Sequence, residues 1–258
     1  MLILSCDGIG TAHLAADDGR SILQHVARPL AAKTGALPVR VEWPASMAGV
    51  GGTQSWTTAA HIGVLALDKI TADHPNEQII LLGYSGGCRV VHDWLDTRPA
   101  MRHRVAAVGL LSDPYRPAGR WQHGMPDPGG WGICGQRLGP IPGITYWTSA
   151  PGDAISSCPA DSPLRTAADL SDQLPGAFLA DLSGHLRRGD WQLATAMGLW
   201  RRDPLAYLRG LGPRLHQARL DVEGYLTGGK HTDAYVRPHA GGLSLAHRLA
   251  GTVAWAVR

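Results

Sequence analysis

The stretch "LLGYSGGCRV", residues 81–90, runs an apolar segment straight into a serine set among glycines. Gly83-Tyr84-Ser85-Gly86-Gly87 fits the pattern G-x-S-x-G. In a chain with 33 glycines that pattern also arises by chance, so its surroundings decide how to read it. The apolar run 78–82 precedes it as a strand, and 87–97 follows with Val90, Val91, Trp94 and Leu95 at helical spacing. A sharp strand-to-helix turn lifts Ser85 Oγ above the sheet edge, and side chains at 83, 86 or 87 would crowd that turn. The helix start beneath it offers backbone N–H groups and partial positive charge to a developing oxyanion. The bland alternative is glycine used only to punctuate a junction. The strand-turn-helix context favours a nucleophile.

Working outward, the chain alternates strand and helix patterns. "MLILSC" reads as a short buried strand stopped by "DGIGT", and residues 17–35 carry Ile22, Leu23, Val26, Leu30 and Ala31 at helical spacing. Asp17 or Asp18 is the expected cap of that helix, and Gly35 its stop. "ALPVRVEWPAS" predicts a second strand broken by Pro44, and "WTTAAHIGVLALDKITADHP" a second helix ended by Pro75. "RVAAVGLLSDP" and "GITYWTSAPGD" read as the fourth and fifth strands. Repeated strand-helix units imply an α/β fold with a mostly parallel sheet and right-handed crossovers. Apolar runs that do not alternate fit strands buried on both faces.

Two stretches break the rhythm. A Gly/Pro/Trp-rich segment, "YRPAGRWQHGMPDPGGWGICGQRLGPIPG", is too long for a plain connection and is expected to border a site. Of the nine tryptophans, Trp121, Trp131 and Trp147 lie in or beside it; packing is the default, with an acyl or sugar groove as the alternative. From roughly 160 to 225, Leu170, Leu174, Phe178, Leu182 and Leu186, then Leu193, Met197 and Trp200, then Leu205, Leu208, Leu211 and Leu215 paint helical faces with no strand between them. This predicts one domain over 1–258 with a helical subdomain inserted at 160–225. "LSLAHRLAGTVAWAV" reads as a closing helix.

Composition narrows the function classes. With 258 residues and 44% hydrophobic content the chain can bury a sizeable core. Its net charge of +3 and lack of a Lys/Arg block give no support to nucleic-acid binding. The pairs Arg187–Arg188 and Arg201–Arg202, each near an aspartate, read as solvated helix faces. No apolar run approaches the roughly 18 residues of a membrane span, and "MLILSCDG" is too short for a secretory signal. The expectation is a protein made soluble in the cytoplasm, without stable membrane insertion. Cys6, Cys88, Cys134 and Cys158 form no CxxC pair, which argues against zinc; free thiols are expected, with one disulfide as the alternative. No motif for a metal, nucleotide or other cofactor is present.

A serine is a poor nucleophile until a base takes its proton, so a carboxylate and a histidine should follow in the order Ser…Asp…His. Asp113 in "LLSDP" and Asp153 in "SAPGD" both sit just past strands. Asp153 fits better, because Asp113 opens a turn with Pro114, a common structural use; Asp161 is a more distant alternative. Of twelve histidines, His185, His216 and His247 fall in helical patterns, where packing is the default. His231 follows Gly228-Gly229 in a loop that can reach over the strand ends, with His239 next in line. The oxyanion hole is expected from the Gly86 N–H and from the loop after the first strand, near Gly10 or Thr11.

At these residues the chain resembles a family. "GYSGG" resembles the nucleophile turn of cutinases, "SDPYRP" the segment after the next strand, and "APGD" the turn carrying the acid. A helical insertion before a late "KHTDAY" segment is similar to the lysin B enzymes of actinobacterial phages. The resemblance spans nearly the whole chain. It implies a cutinase-like α/β-hydrolase fold, with Ser85, Asp153 and His231 as nucleophile, acid and base. It also implies hydrolysis of the mycolyl ester of arabinogalactan in the host envelope during lysis, with no cofactor. Two departures stand out. Gly86 occupies a position where the family often has glutamine, and only Cys158 lies near the acid turn where cutinases carry flanking cysteines.

Overall fold

The computed structural model describes residues 1–14, 19–47, 49–162, 164, 165, 168, 204–239 and 242–258. Five strands, β1 (Leu2–Cys6), β2 (Leu37–Arg40), β3 (Ile79–Tyr84), β4 (Val105–Leu111) and β5 (Thr145–Thr148), form one sheet in the order β2-β1-β3-β4-β5. Every neighbouring pair is parallel. Helices α1 (Gln24–Thr34), α2 (Trp56–Asp73), α3 (Gly87–Thr97), α4 (Pro204–Leu226), α5 (Asp233–Val236) and α6 (Leu245–Ala256), with two short 3-10 helices at Pro99–Arg104 and Pro142–Ile144, complete the described elements.

The strands are apolar on both faces because both faces are covered. Leu2, Leu4, Ile79, Leu81, Val108 and Leu110 pack in one cluster with residues of α2 and α3, such as Leu67, Val91 and Trp94. Ile3, Ile80, Leu82, Ala107 and Leu111 pack in the other with Val26 and Leu30 of α1 and Leu249 and Val253 of α6. A period-2 strand feeding two helical layers explains why β1 and β3 read as continuous apolar runs. The two largest exceptions to apolar burial are Arg116 and Arg165, both almost wholly buried.

Where the elements end follows local chemistry. Gly35 closes α1 in a left-handed conformation, with its N–H on the Ala31 carbonyl. Ser55 caps α2 by accepting from the Thr58 N–H, and Ser244 caps α6 by accepting from the His247 N–H. Two expectations shift. The α1 helix begins at Gln24 with no side-chain cap, and Asp17 and Asp18 lie outside the described residues. The second strand ends at Arg40 rather than running on to Pro44, although the Val41 N–H still reaches the Ser5 carbonyl. As the edge strand, β2 tolerates Pro38, which offers no N–H to a ladder.

The helical patterns at 170–186 and 193–200 lie outside the described residues, whereas Leu205, Leu208, Leu211 and Leu215 fall within α4. Among the described residues, no helix is long and apolar enough to cross a membrane. None of the four cysteines is in a disulfide.

Candidate active site

The three residues expected to form a triad arrive from two separate strand ends and one late loop. Ser85 follows β3 directly, with φ at 52°, a left-handed conformation that costs a non-glycine residue roughly 1–3 kcal/mol. The turn is held in place: the Ser85 N–H donates to the Leu111 carbonyl at the end of β4, and the Cys88 N–H donates to the Ser85 carbonyl as α3 begins. Gly87 permits the bend, since a methyl there would run into the carbonyl oxygens of Cys6, the last residue of β1, and of Asp7 just after it.

Asp153 stands on a tight turn after β5, behind Gly152 with φ at 75°. His231 lies between α4 and α5. Its Nε2 is 2.9 Å from Ser85 Oγ, and its Nδ1 is 3.1 Å from Asp153 Oδ1. The sequence separations of 146 and 78 residues make both contacts products of the fold. All three side chains are buried: Ser85 is 8% exposed, His231 6% and Asp153 1%.

A buried carboxylate needs compensation. Burial alone pushes the Asp153 carboxyl up, but His231, Ser112 and Tyr235 outweigh it and hold the group below its usual range. The Ser112 and Tyr235 hydroxyls each donate to Oδ2 at 2.5 Å, and Ser156 Oγ does so at 3.1 Å. The Ile155 N–H reaches Oδ1 at 3.1 Å. With so many donors Asp153 stays ionised and fixed in orientation. It is therefore suited to steering an imidazole rather than exchanging protons.

The imidazole is held from the other side by aromatic rings. Tyr84 stacks on His231 with centroids 5.3 Å apart, and Tyr225 of α4 lies 4.8 Å away at a tilt. Burial pushes the hydroxyls of Tyr84 and Tyr235 well up, so both remain protonated donors.

The other candidates have different partners. Asp113 binds His92 Nε2 at 2.9 Å and Trp147 Nε1 at 3.0 Å, beneath the sheet end. Asp161 pairs with Arg214. His239 Nε2 meets the Ala234 carbonyl, and His247 Nδ1 meets Ser244 Oγ. His216 lies within α4, and His185 lies outside the described residues.

In the loop after β1, one of the two residues expected to supply an oxyanion donor has its N–H taken. The Gly10 N–H donates to the Ala45 carbonyl at 2.7 Å and is thus engaged, while Thr11 Oγ1 donates to the Gly8 carbonyl. Gly8 lies against Tyr84 and Ser85, and a side chain at Gly86 would come within 2.6 Å of Ile9 Cγ1. Ile9 thus fills the room that a glutamine at 86 would need. Trp56 Nε1 donates to the Gly86 carbonyl and braces the turn from α2.

The long segment after β4 borders the acid turn, and two buried arginines bind it there. Arg116 donates to the carbonyls of Ser156, Arg120, Gly129 and Gly130. Arg165 donates to those of Pro159, Gly132, Trp131 and Cys158, with its guanidinium 4.2 Å over the Trp131 ring. Trp131 and Cys158 also pair through their backbones. Charged donors on backbone carbonyls thus brace the region where cutinases use flanking cysteines. Trp147 packs in the core, and Trp121 donates to the Met125 carbonyl.

Sequence reasoning named the three side chains that the fold brings together, Ser85, Asp153 and His231, but missed Ser112, Tyr84, Tyr235 and Ser156 around them. Tyr235 had a signal, lying four residues after His231 in "KHTDAY". Ser112 had none, since nothing in "LLSDP" says which face of the turn the hydroxyl takes.

A family model described as Cutinase matches residues 13–173. No curated protein matches the chain. Among solved structures, a cutinase-like protein from Cryptococcus sp. is similar at 16% identity and TM-score 0.46, over 60% of this chain and 78% of that one. An acetylxylan esterase is similar at 17% identity and TM-score 0.48, over 72% of this chain and 95% of that one. Lysin B from mycobacteriophage D29 is similar at 16% identity and TM-score 0.44, over 60% of this chain and 66% of that one.

Proposed function

Because the chain belongs to the cutinase family, and its all-parallel sheet is that of a cutinase-like α/β-hydrolase, we propose that it is a serine ester hydrolase working through an acyl-enzyme. The observation that carries this is the unbroken hydrogen-bonded chain from Ser85 Oγ through His231 to Asp153. His231 Nε2 accepts the Ser85 proton as Oγ attacks the ester carbonyl. Asp153, bound to Nδ1, holds the imidazole in the tautomer with Nε2 bare and stabilises the imidazolium that forms. The proton then passes to the leaving alcohol, and water, activated by the same histidine, releases the acid.

The tetrahedral oxyanion takes the Gly86 N–H and a second donor from residues 8–11. With the Gly10 N–H on Ala45, that donor is the N–H of Ile9 or Thr11. Loss of one such donor typically costs about 3–4 kcal/mol of transition-state stabilisation. No metal or other cofactor has a role in these steps.

The substrate we propose is the ester joining mycolic acids to arabinogalactan in the actinobacterial envelope, cleaved during phage lysis. Its support is the layout of the chain. An acid turn and a late histidine are separated by 78 residues that include α4, the arrangement in which the sequence resembles lysin B enzymes. In this reading the segment at 160–225 is the lid or envelope-facing wall, and Tyr225 brings α4 against the base. The protein is made in the host cytoplasm and acts on the envelope. Family membership equally fits a cutinase-type carboxylesterase of shorter esters. Incubation with purified mycobacterial envelope and mass spectrometry of the released lipids decides between them. Free mycolic acids are expected; turnover of short esters with no mycolic acid release would favour the general esterase.

A further inference from the structure

The hydroxyl of Ser112 touches two members of the proposed triad at once. Ser112 is the residue after β4; its Oγ lies 2.5 Å from Asp153 Oδ2 and 3.0 Å from His231 Nδ1, and it is fully buried. Its backbone adopts φ of 49°, where glycine or asparagine is the usual occupant, and its N–H is tied to the Thr148 carbonyl. A serine in that conformation aims its hydroxyl into the space between acid and base.

A hydroxyl carries one proton and two lone pairs. Asp153 is ionised and only accepts, so the Ser112 proton goes to Oδ2. A lone pair is then left for Nδ1. His231 Nε2 must be bare to accept from Ser85, which makes Nδ1 the protonated nitrogen. The Nδ1–H therefore has two acceptors, Asp153 Oδ1 at 3.1 Å and Ser112 Oγ at 3.0 Å.

We propose that Ser112 is a positioning residue for this reaction: a second acceptor on the His231 Nδ1–H that shares with Asp153 the task of fixing the productive tautomer. The inference rests on the triad reading and goes beyond it. It also makes a distinction available. If Ser112 acted only by orienting Asp153, its hydroxyl would be idle once Asp153 was gone. As a direct acceptor, it still matters.

The test is a cycle of Ser112→Ala and Asp153→Ala, with Ser112→Gly as a backbone control, assayed on a fluorogenic short-chain ester. Ser112→Ala is expected to lower kcat about tenfold with KM unchanged, the scale of one lost hydrogen bond. Ser112→Gly, which relaxes the positive φ, is expected to lose as much. In the Asp153→Ala background, Ser112→Ala is expected to lower kcat by at least the same factor again. The downfield proton resonance of the His231 Nδ1–H should persist in Asp153→Ala and vanish in the double variant.

Wild-type activity from Ser112→Ala overturns the proposal, as does no further loss in the Asp153→Ala background. Recovery in Ser112→Gly would assign the effect to backbone strain and overturns it too. Labelling of Ser85 by a p-nitrophenyl phosphonate, run on the same wild-type preparation, separates the two readings. Absence of both labelling and turnover removes the triad itself, whereas labelling with an inert Ser112→Ala substitution removes only the role of Ser112.

Discussion

The Tyr84 hydroxyl donates a 2.6 Å hydrogen bond to the backbone carbonyl of His231, across 147 residues of sequence. The residue immediately before the proposed nucleophile thus anchors the loop that carries the proposed base. Its ring also stacks on the imidazole. Replacing Tyr84 with phenylalanine keeps the stacking and removes the anchor, leaving a buried carbonyl unpaired. Tyr84→Phe is expected to cost about 1–3 kcal/mol of stability, read by denaturant unfolding. It is also expected to reduce kcat more than it changes KM, because it loosens the base and not the substrate pocket.

Asp153 links the site to acid stability. Its carboxyl is held below the usual range, so the folded state favours the ionised form more than the unfolded chain does. The resulting stabilisation is complete above the ordinary aspartate value of about 3.9 and is lost as pH falls through the depressed folded value. Asp153→Asn places an amide among the donors of Ser112 and Tyr235. The melting-temperature gap between wild type and Asp153→Asn is expected to be widest near neutrality and to narrow at pH values below the ordinary aspartate range. A constant gap across that range would contradict the sign.

The glycines of the elbow are not equivalent. A methyl at Gly87 meets the backbone carbonyls of Cys6 and Asp7, which cannot yield, whereas a methyl at Gly86 meets only side-chain atoms of Ile9, Cγ1 and Cδ1, which can shift. Gly87→Ala is expected to destabilise the fold by at least about 1–3 kcal/mol. Gly86→Ala, which displaces only the Ile9 side chain, is expected to destabilise it by less. Thermal melts of the two variants side by side check the contrast.

Arg116 spends its guanidinium on backbone carbonyls of the segment after β4 and of the acid turn. Burial pulls its own pKa down, a measure of the desolvation these bonds must offset. Arg116→Met would leave those carbonyls unpaired. A loss of about 3 kcal/mol is expected, together with faster proteolysis within residues 117–130, monitored by limited trypsinolysis and mass mapping.

Thiol reactivity follows burial. Cys6, Cys88 and Cys158 are buried, and burial pushes each thiol up, away from the reactive thiolate. Cys134 is partly exposed. Titration with a chromogenic disulfide is expected to find one reactive thiol in the native protein and four after denaturation.

The scaffold was legible where one physical signal dominated. The apolar run at 78–82 has no polar alternation because both faces of β3 are covered, and the glycines after it mark a turn that no other residue would make as tightly. The positions proposed for acid and base followed from chain order, from a turn just past a strand end for Asp153 and from a loop after Gly228-Gly229 for His231. The supporting shell was not legible, because Ser112, Tyr84 and Ser156 acquire their roles only through side-chain directions set by the register of strands far apart in sequence. The same holds for Gly10: its place in the loop after the first strand suggested an available N–H, but the carbonyl that takes it, Ala45, comes from a segment 35 residues on. The end of β2 was missed because edge position, and not residue propensity, decides where its pairing stops.

The central claim is that Ser85 is an activated nucleophile, and hydrolysis of p-nitrophenyl butyrate by wild type beside Ser85→Ala tests it most directly. A robust wild-type rate, abolished by that one substitution in a protein with an unchanged melting temperature, is the expected result. Equal rates from the two proteins, whether both active or both inert on short and long esters, would contradict it.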